Sequence, residues 1–236
     1  MFKLVFLQTL LQVPVSAMDS LDMQMPTEIR TSFWQMFNYG GVIMYLLLLL
    51  SIIGIYIFVE RLIMVNKAGK DDNNFMGNIS DCIRAGRIEE AKTMCKMTNT
   101  PLSRMIEKGI NSLGKPLQDI KTAIENTGRF EVANLEKNVP FLATISGVAP
   151  MIGFLGTVLG MVKAFYNMSM AGNNLDISML SEGIYQAMIT TIGGLIVGII
   201  GYILYNVIVT RIEKVVTLLE AKTTEFMDVL DEPADK

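Results

Sequence analysis

Hydrophobic residues crowd into three long stretches that carry no charge, and between them apolar positions recur with a helical period. The first stretch lies between Arg30 and Glu60, the second between Lys137 and Lys163, the third between Glu182 and Arg211. A bilayer core of roughly 30 Å is crossed by about 20 apolar residues in helical form, so the pattern predicts transmembrane helices over 42–59, 140–164 and 183–210. In the intervening segment 60–139, apolar residues share single faces: Phe75, Ile79, Cys82 and Ile83; Ile88, Ala91 and Cys95; Leu102, Met105, Ile106 and Ile110; Leu117, Ile120 and Ile124. This spacing predicts amphipathic helices, broken at Gly86, Pro101 and Gly114-Lys115-Pro116. Past Arg211 the third span continues with Ile212, Val215, Leu219, Phe226 and Leu230 on one side, up to Pro233. The expected fold is an all-α integral membrane protein: three transmembrane helices, a helical cytoplasmic domain, and a C-terminal helix and tail over 211–236.

Charge adds direction. Of the twenty basic residues, thirteen lie in 61–137 and four in the C-terminal tail, against one, Lys163, in the segment from Lys163 to Glu182 and two before the first span. Positive charge is retained on the cytoplasmic side, which predicts an external N-terminal segment 1–41, an external loop 165–182, and cytoplasmic segments 60–139 and 211–236. Lys3, the apolar run Leu4 to Val15 and then Ser16-Ala17 have the three-part form of a signal peptide ending at residue 17. An amphipathic helix lying on the outer membrane surface fits the same residues.

Composition removes several chemistries. The chain contains no histidine, which excludes Ser/His/Asp triads, Cys/His pairs and imidazole-based metal sites, and leaves carboxylates as the main proton carriers. Cys82 and Cys95 sit on the cytoplasmic segment, where thiols stay reduced, and read as small core residues. A net charge of −3 without a basic block argues against a nucleic-acid partner. No nucleophile and base pair or metal-ligand cluster points to an enzyme, and neither cofactor nor metal is expected; the membrane lipid is the one certain surrounding.

The second span carries Ser146, Pro150, Gly153, Thr157, Gly160 and Ala164 along one stripe, and the third carries Ala187, Thr191, Gly194, Gly198 and Gly201, ending at Tyr205. Small faces let helices approach closely, the use of the GxxxG spacings at Gly156 to Gly160 and Gly194 to Gly198. One copy's three spans are expected to fill these stripes only in part, which predicts a homo-oligomer. Each stripe embeds a hydroxyl, and two readings of it stand side by side. Thr157 and Thr191 bond to their own helix backbones, or both line a narrow polar path at mid-membrane depth.

The run Ala149-Pro150, Gly153, Gly156-Thr157-Val158, Gly160 and Phe165 resembles the second-span signature of the MotA/TolQ/ExbB proton channels, and Gly183-Ile184, Ala187, Thr191, Gly194-Leu195 and Tyr205-Asn206 resemble the third span of an ExbB- or TolQ-type chain. The resemblance is specific over about residues 140–211. It implies a ring of about five copies in the bacterial inner membrane, surrounding the helices of a single-span ExbD- or TolR-like partner that carries an essential aspartate. Proton flow through the ring then drives motion passed to a TonB- or TolA-like periplasmic protein. Thr157 and Thr191 correspond to the family's pore-facing threonines. Gln186 falls where the family commonly has a glutamate, and an amide hydrogen-bonds but takes up no proton; a proline near Ile200 is also missing. The resemblance leaves a TonB-type energiser, a TolQ-type role in envelope integrity, and a non-conducting membrane scaffold as readings. A MotA-type stator fits less well, since those subunits usually have four spans.

Overall fold

The computed structural model describes residues 37–69, 73–170 and 177–231. The expected leader or surface helix in 1–17 therefore lies outside the described residues. Seven helices follow three helical residues at 37–39 and a turn at Gly40: α1 Gly41–Ala68, α2 Asn73–Arg84, α3 Ile88–Thr98, α4 Pro101–Asn111, α5 Leu117–Glu136, α6 Val139–Met170 and α7 Ile177–Asp231. No strand occurs among the described residues. Three stretches are long and apolar enough to cross a membrane, in α1, in α6 and in the first half of α7. The fold is that of a helical membrane protein.

The helices end where local chemistry ends them. Asn99 closes α3 in the left-handed conformation at φ 45°, which asparagine tolerates better than most side chains. Thr100 opens α4 by accepting from the Ser103 amide while Ser103 accepts from the Thr100 amide, with Pro101 at the first helical position. Between α5 and α6 the chain bends at Lys137-Asn138, where Asn138 also takes a positive φ of 68°.

Below the spans, one core joins α2 to α5 with the ends of α1 and α7. Ile79, Ile106 and Ile124 are fully buried in it, together with Ala91, Cys95, Ile208 and Phe226. Ile212, Val215, Leu219 and Phe226 turn one face of α7 into this core, so the extension past the membrane packs on its own chain. Leu117 departs from its expected face and is 38% exposed; it stands at the first turn of α5, directly after Pro116. At 1.5 Å per residue α7 is about 80 Å long, far longer than a bilayer core. It forms a continuous rod from one side of the membrane into the helical domain on the other.

Two arginines fix the junctions. Arg104 clips α4 to α5 through a bidentate pair with the buried Glu131, at 2.7 and 2.6 Å, and this bond raises the arginine's pKa further above its ordinary value. Arg61, 3% exposed, donates from Nη2 to Glu60 at 2.8 Å and from Nη1 to the Asn134 carbonyl at 3.0 Å. That carbonyl is among the last four of α5, which have no partner inside the helix. Arg61 thus ties the end of the first span to the bend before the second. Replacing it with methionine keeps the apolar stem and removes the charge-assisted bonds, worth roughly 1.5–3 kcal/mol. The expected result is a clear drop in the thermal midpoint of the detergent-solubilised protein, and an unchanged midpoint would remove this role.

Candidate functional site: the seam between α6 and α7

α6 and α7 approach each other closely, and small residues make it possible. A Cβ on Gly153 would stand 2.9 Å from the Thr190 carbonyl, and one on Gly194 would stand 2.7 Å from the Ala149 carbonyl. On Gly160 it would meet the Ala187 side chain and the Gly183 carbonyl at 3.1 Å, and on Gly198 the Pro150 ring at 2.5 Å. Gly156 lies against the Thr190 side chain, whose hydroxyl a Cβ would overlap. Gly201 is looser, with its nearest neighbour, Ser146, at 3.4 Å. The two stripes face each other within one protomer. Along this seam α6 and α7 each supply the groove that the other fills.

Thr157 and Thr191 meet across this seam, hydroxyl to hydroxyl. Thr157 Oγ1 also has the Gly153 and Ala187 carbonyls at 3.4 and 3.3 Å, and Thr191 Oγ1 has the Gly153 carbonyl at 3.3 Å. Thr157 thus has an acceptor in its own helix, and the Thr191 hydroxyl reaches across the seam. The pair sits about 9 Å along α6 from Lys163 and about 7.5 Å from the middle of the span 140–164, in the half of the apolar layer toward the α6–α7 connection. Neither threonine is fully buried.

Two hydroxyls in contact hold two protons and more lone pairs than protons. If Thr157 donates to Thr191 and Thr191 to the Gly153 carbonyl, the Thr157 oxygen is left to accept from a carboxylic acid. Rotation of the same hydroxyls turns them into donors to a carboxylate. The seam can serve both states of a proton carrier without changing its own charge. It supplies no carrier itself, since no Asp or Glu lies between Glu136 and Asp176 or between Glu182 and Glu213.

Gln186 is not brought to this pair. It lies about 7.5 Å along α7 from Thr191 and against α1, where a Cβ on Gly41 would be 3.1 Å from its Nε2. Tyr39 and Tyr185 stack edge to face beside it, with ring centroids 5.7 Å apart. Sequence reasoning missed Thr190, 1% exposed and donating to the Ala187 carbonyl at 2.8 Å, and Gly193, which lets Met44 of α1 approach to 2.8 Å of a would-be Cβ. Extending the stripe by one three-residue step from Ala187 would have found Thr190.

Comparison with known proteins places this seam. Residues 97–221 match the MotA/TolQ/ExbB proton channel family. The chain is 32% identical over 187 residues to a biopolymer transport protein ExbB homolog of Methanothermobacter thermautotrophicus, a match covering 79% of this chain and 66% of that protein. It is 38% identical over 98 residues to the Tol-Pal system protein TolQ of Haemophilus influenzae, covering 42% of this chain and 41% of that one. With the biopolymer transport protein ExbB of Neisseria meningitidis it shares 25% identity over 175 residues, 68% of this chain and 78% of the relative.

Proposed function

Because the chain belongs to the MotA/TolQ/ExbB proton channel family, we propose that it is the channel-forming subunit of an ExbB/ExbD-like motor, which uses the proton motive force to energise TonB-dependent transport across an outer membrane. The observation that carries this reading is the Thr157–Thr191 hydroxyl pair, set in an apolar seam that has no carboxylate of its own. A site that solvates a proton carrier without owning one implies a partner that brings it: a single-span ExbD- or TolR-like helix with an intramembrane aspartate. In this reading several copies, about five as the family resemblance implies, surround that helix in the bacterial inner membrane. Gln186 holds the α1–α7 contact at the mouth of the path. An ExbB-named relative matches 79% of the chain at 32% identity and a TolQ-named one 42% at 38%, so a TolQ-type role in envelope integrity stands beside the reading proposed here. Native mass spectrometry in mild detergent with the partner present tests the assembly, and a purely monomeric species would overturn it.

The reading also places 60–139 and 211–236 in the cytoplasm. The native cysteines cannot report this, because both are buried. Burial, then the negative charge of Glu107, pushes the Cys95 thiol from 9.0 up to about 12, so it stays neutral and unreactive at physiological pH. Its contribution to stability is complete below pH 9 and is lost as the pH rises toward 12. Introduced cysteines serve instead: Met97 and Met170 are 82% and 72% exposed at opposite ends of the spans. An impermeant maleimide on intact spheroplasts is expected to label M170C and spare M97C. The reverse pattern would invert the topology.

A further inference from the structure

A solvent-exposed aromatic outside the membrane is unusual in a chain that buries its apolar residues so well below the spans. Phe130, on α5, is 66% exposed. It is nine residues before the start of α6, about 14 Å by helical rise, and so clear of the apolar layer that accounts for the other exposed aromatics. On the opposite flank of the same helix, α5 and α7 enclose a groove of about 830 Å³. Its floor is apolar, from Met105, Val132, Val216, Leu219 and Met227.

We propose that Phe130 of one copy docks into the α5–α7 groove of the next copy, forming a head-to-tail interface below the membrane. The inference rests on the ring assembly proposed above and names the surfaces that build it. A ring needs a heterologous interface, in which two different patches of one surface meet. Copies in one membrane share orientation and depth, so their symmetry axis lies along the membrane normal, and patches that meet must lie at equal height. Phe130 meets this condition, since it falls on α5 between Arg129 and Val132, both of which line the groove.

Charge fits at the same heights. Along the face of α5 that carries Phe130, Lys137 lies two turns nearer the membrane and Asp119 three turns farther from it, and both are exposed. Along the groove, Glu136 and Glu220 line the end nearer the membrane, Glu125 and Arg129 the middle, and Lys121 and Asp228 the far end. Docking at equal height sets Lys137 toward the two glutamates, and Asp119 toward a far end where Lys121 and Asp228 offset each other. Between these ends the docking face is uncharged, with Asn126 and Asn134 flanking Phe130. The pairing of Lys137 with Glu136 and Glu220 at the end nearer the membrane is what a second copy of this chain supplies.

The test uses the full chain in its native membrane, with its partner. F130C is combined with T223C, whose position lines the groove on α7, and the membranes are oxidised with copper–phenanthroline. The expected product is a ladder of dimers, trimers and higher species from the double variant and none of these from either single variant. Dimers alone would mean a two-fold contact and would overturn the proposal. So would an absent ladder with the oligomer intact by native electrophoresis, which leaves the ring standing. An absent ladder with no oligomer in the unmodified protein would instead overturn the ring reading and this inference with it. As a second measurement, Phe130→Glu is expected to weaken assembly in detergent by about tenfold or more per interface, with the monomer's helicity and thermal midpoint unchanged, since the side chain is exposed there. Assembly of Phe130→Glu equal to the unmodified chain would also overturn the proposal.

Discussion

Replacing Thr157 or Thr191 by valine is expected to leave folding and assembly in place and to abolish potential-driven uptake. Valine keeps the branched shape and removes the hydroxyl, so the seam between α6 and α7 stays packed. The bonds lost are worth little to stability, since hydrogen bonds between membrane helices average about 0.6 kcal/mol. Their worth to function is larger. One elementary charge crossing 100 mV releases about 2.3 kcal/mol, whereas a carboxylate at the centre of the apolar layer costs roughly 2.5–3.5 kcal/mol even on insertion scales. The pair lies about 7.5 Å from that centre, so a carrier that loses its hydroxyl partners consumes much of what the proton supplies. Uptake measured with the aspartate-bearing partner, beside the oligomer seen by native electrophoresis, separates the two effects. Uptake at the unmodified level in both variants would return the threonines to a structural role, as would equal loss of assembly.

The sequence made the spans legible because lipid permits no ambiguity: charge-free stretches of that length have few other uses. It also made the faces of the soluble helices legible, since Ile79, Ile106, Ile124 and Phe226 are buried where a 3.6-residue period puts them. The partner of each small-residue stripe was not legible. Periodicity tells which face of a helix is small and is silent on which helix meets it, so Gly153 and Gly194 could be assigned to packing and not to each other. For the same reason the sequence does not show that Gln186 lies on the flank of α7 that faces α1. The groove beside α5 was hidden too, because Gly128, Val132 and Met227 come from two helices distant in sequence.

Gly194→Ala is expected to lose both stability and uptake, unlike the threonine variants. The added methyl would stand 2.7 Å from the Ala149 carbonyl and 2.8 Å from the Gly153 Cα. Both are backbone atoms, so no side chain can rotate away, and α6 and α7 must separate. Overpacking of this kind costs roughly 1–3 kcal/mol, and the separation stretches the bonds that cross the seam at Thr157 and Thr191. Two controls sit in the same spans. Gly147 has nothing within 4 Å of a Cβ, and Gly201 has only an ordinary contact at 3.4 Å. Gly147→Ala is expected to be neutral or slightly stabilising, by up to about 1 kcal/mol, since alanine is the better helix former, and Gly201→Ala is expected to be tolerated. Thermal midpoints in detergent and uptake with the partner, taken for all three, check the series. If Gly194→Ala melted with Gly147→Ala and transported as well, the seam would be wider than its glycines indicate, and the hydroxyl pair would lose the close approach on which its role depends.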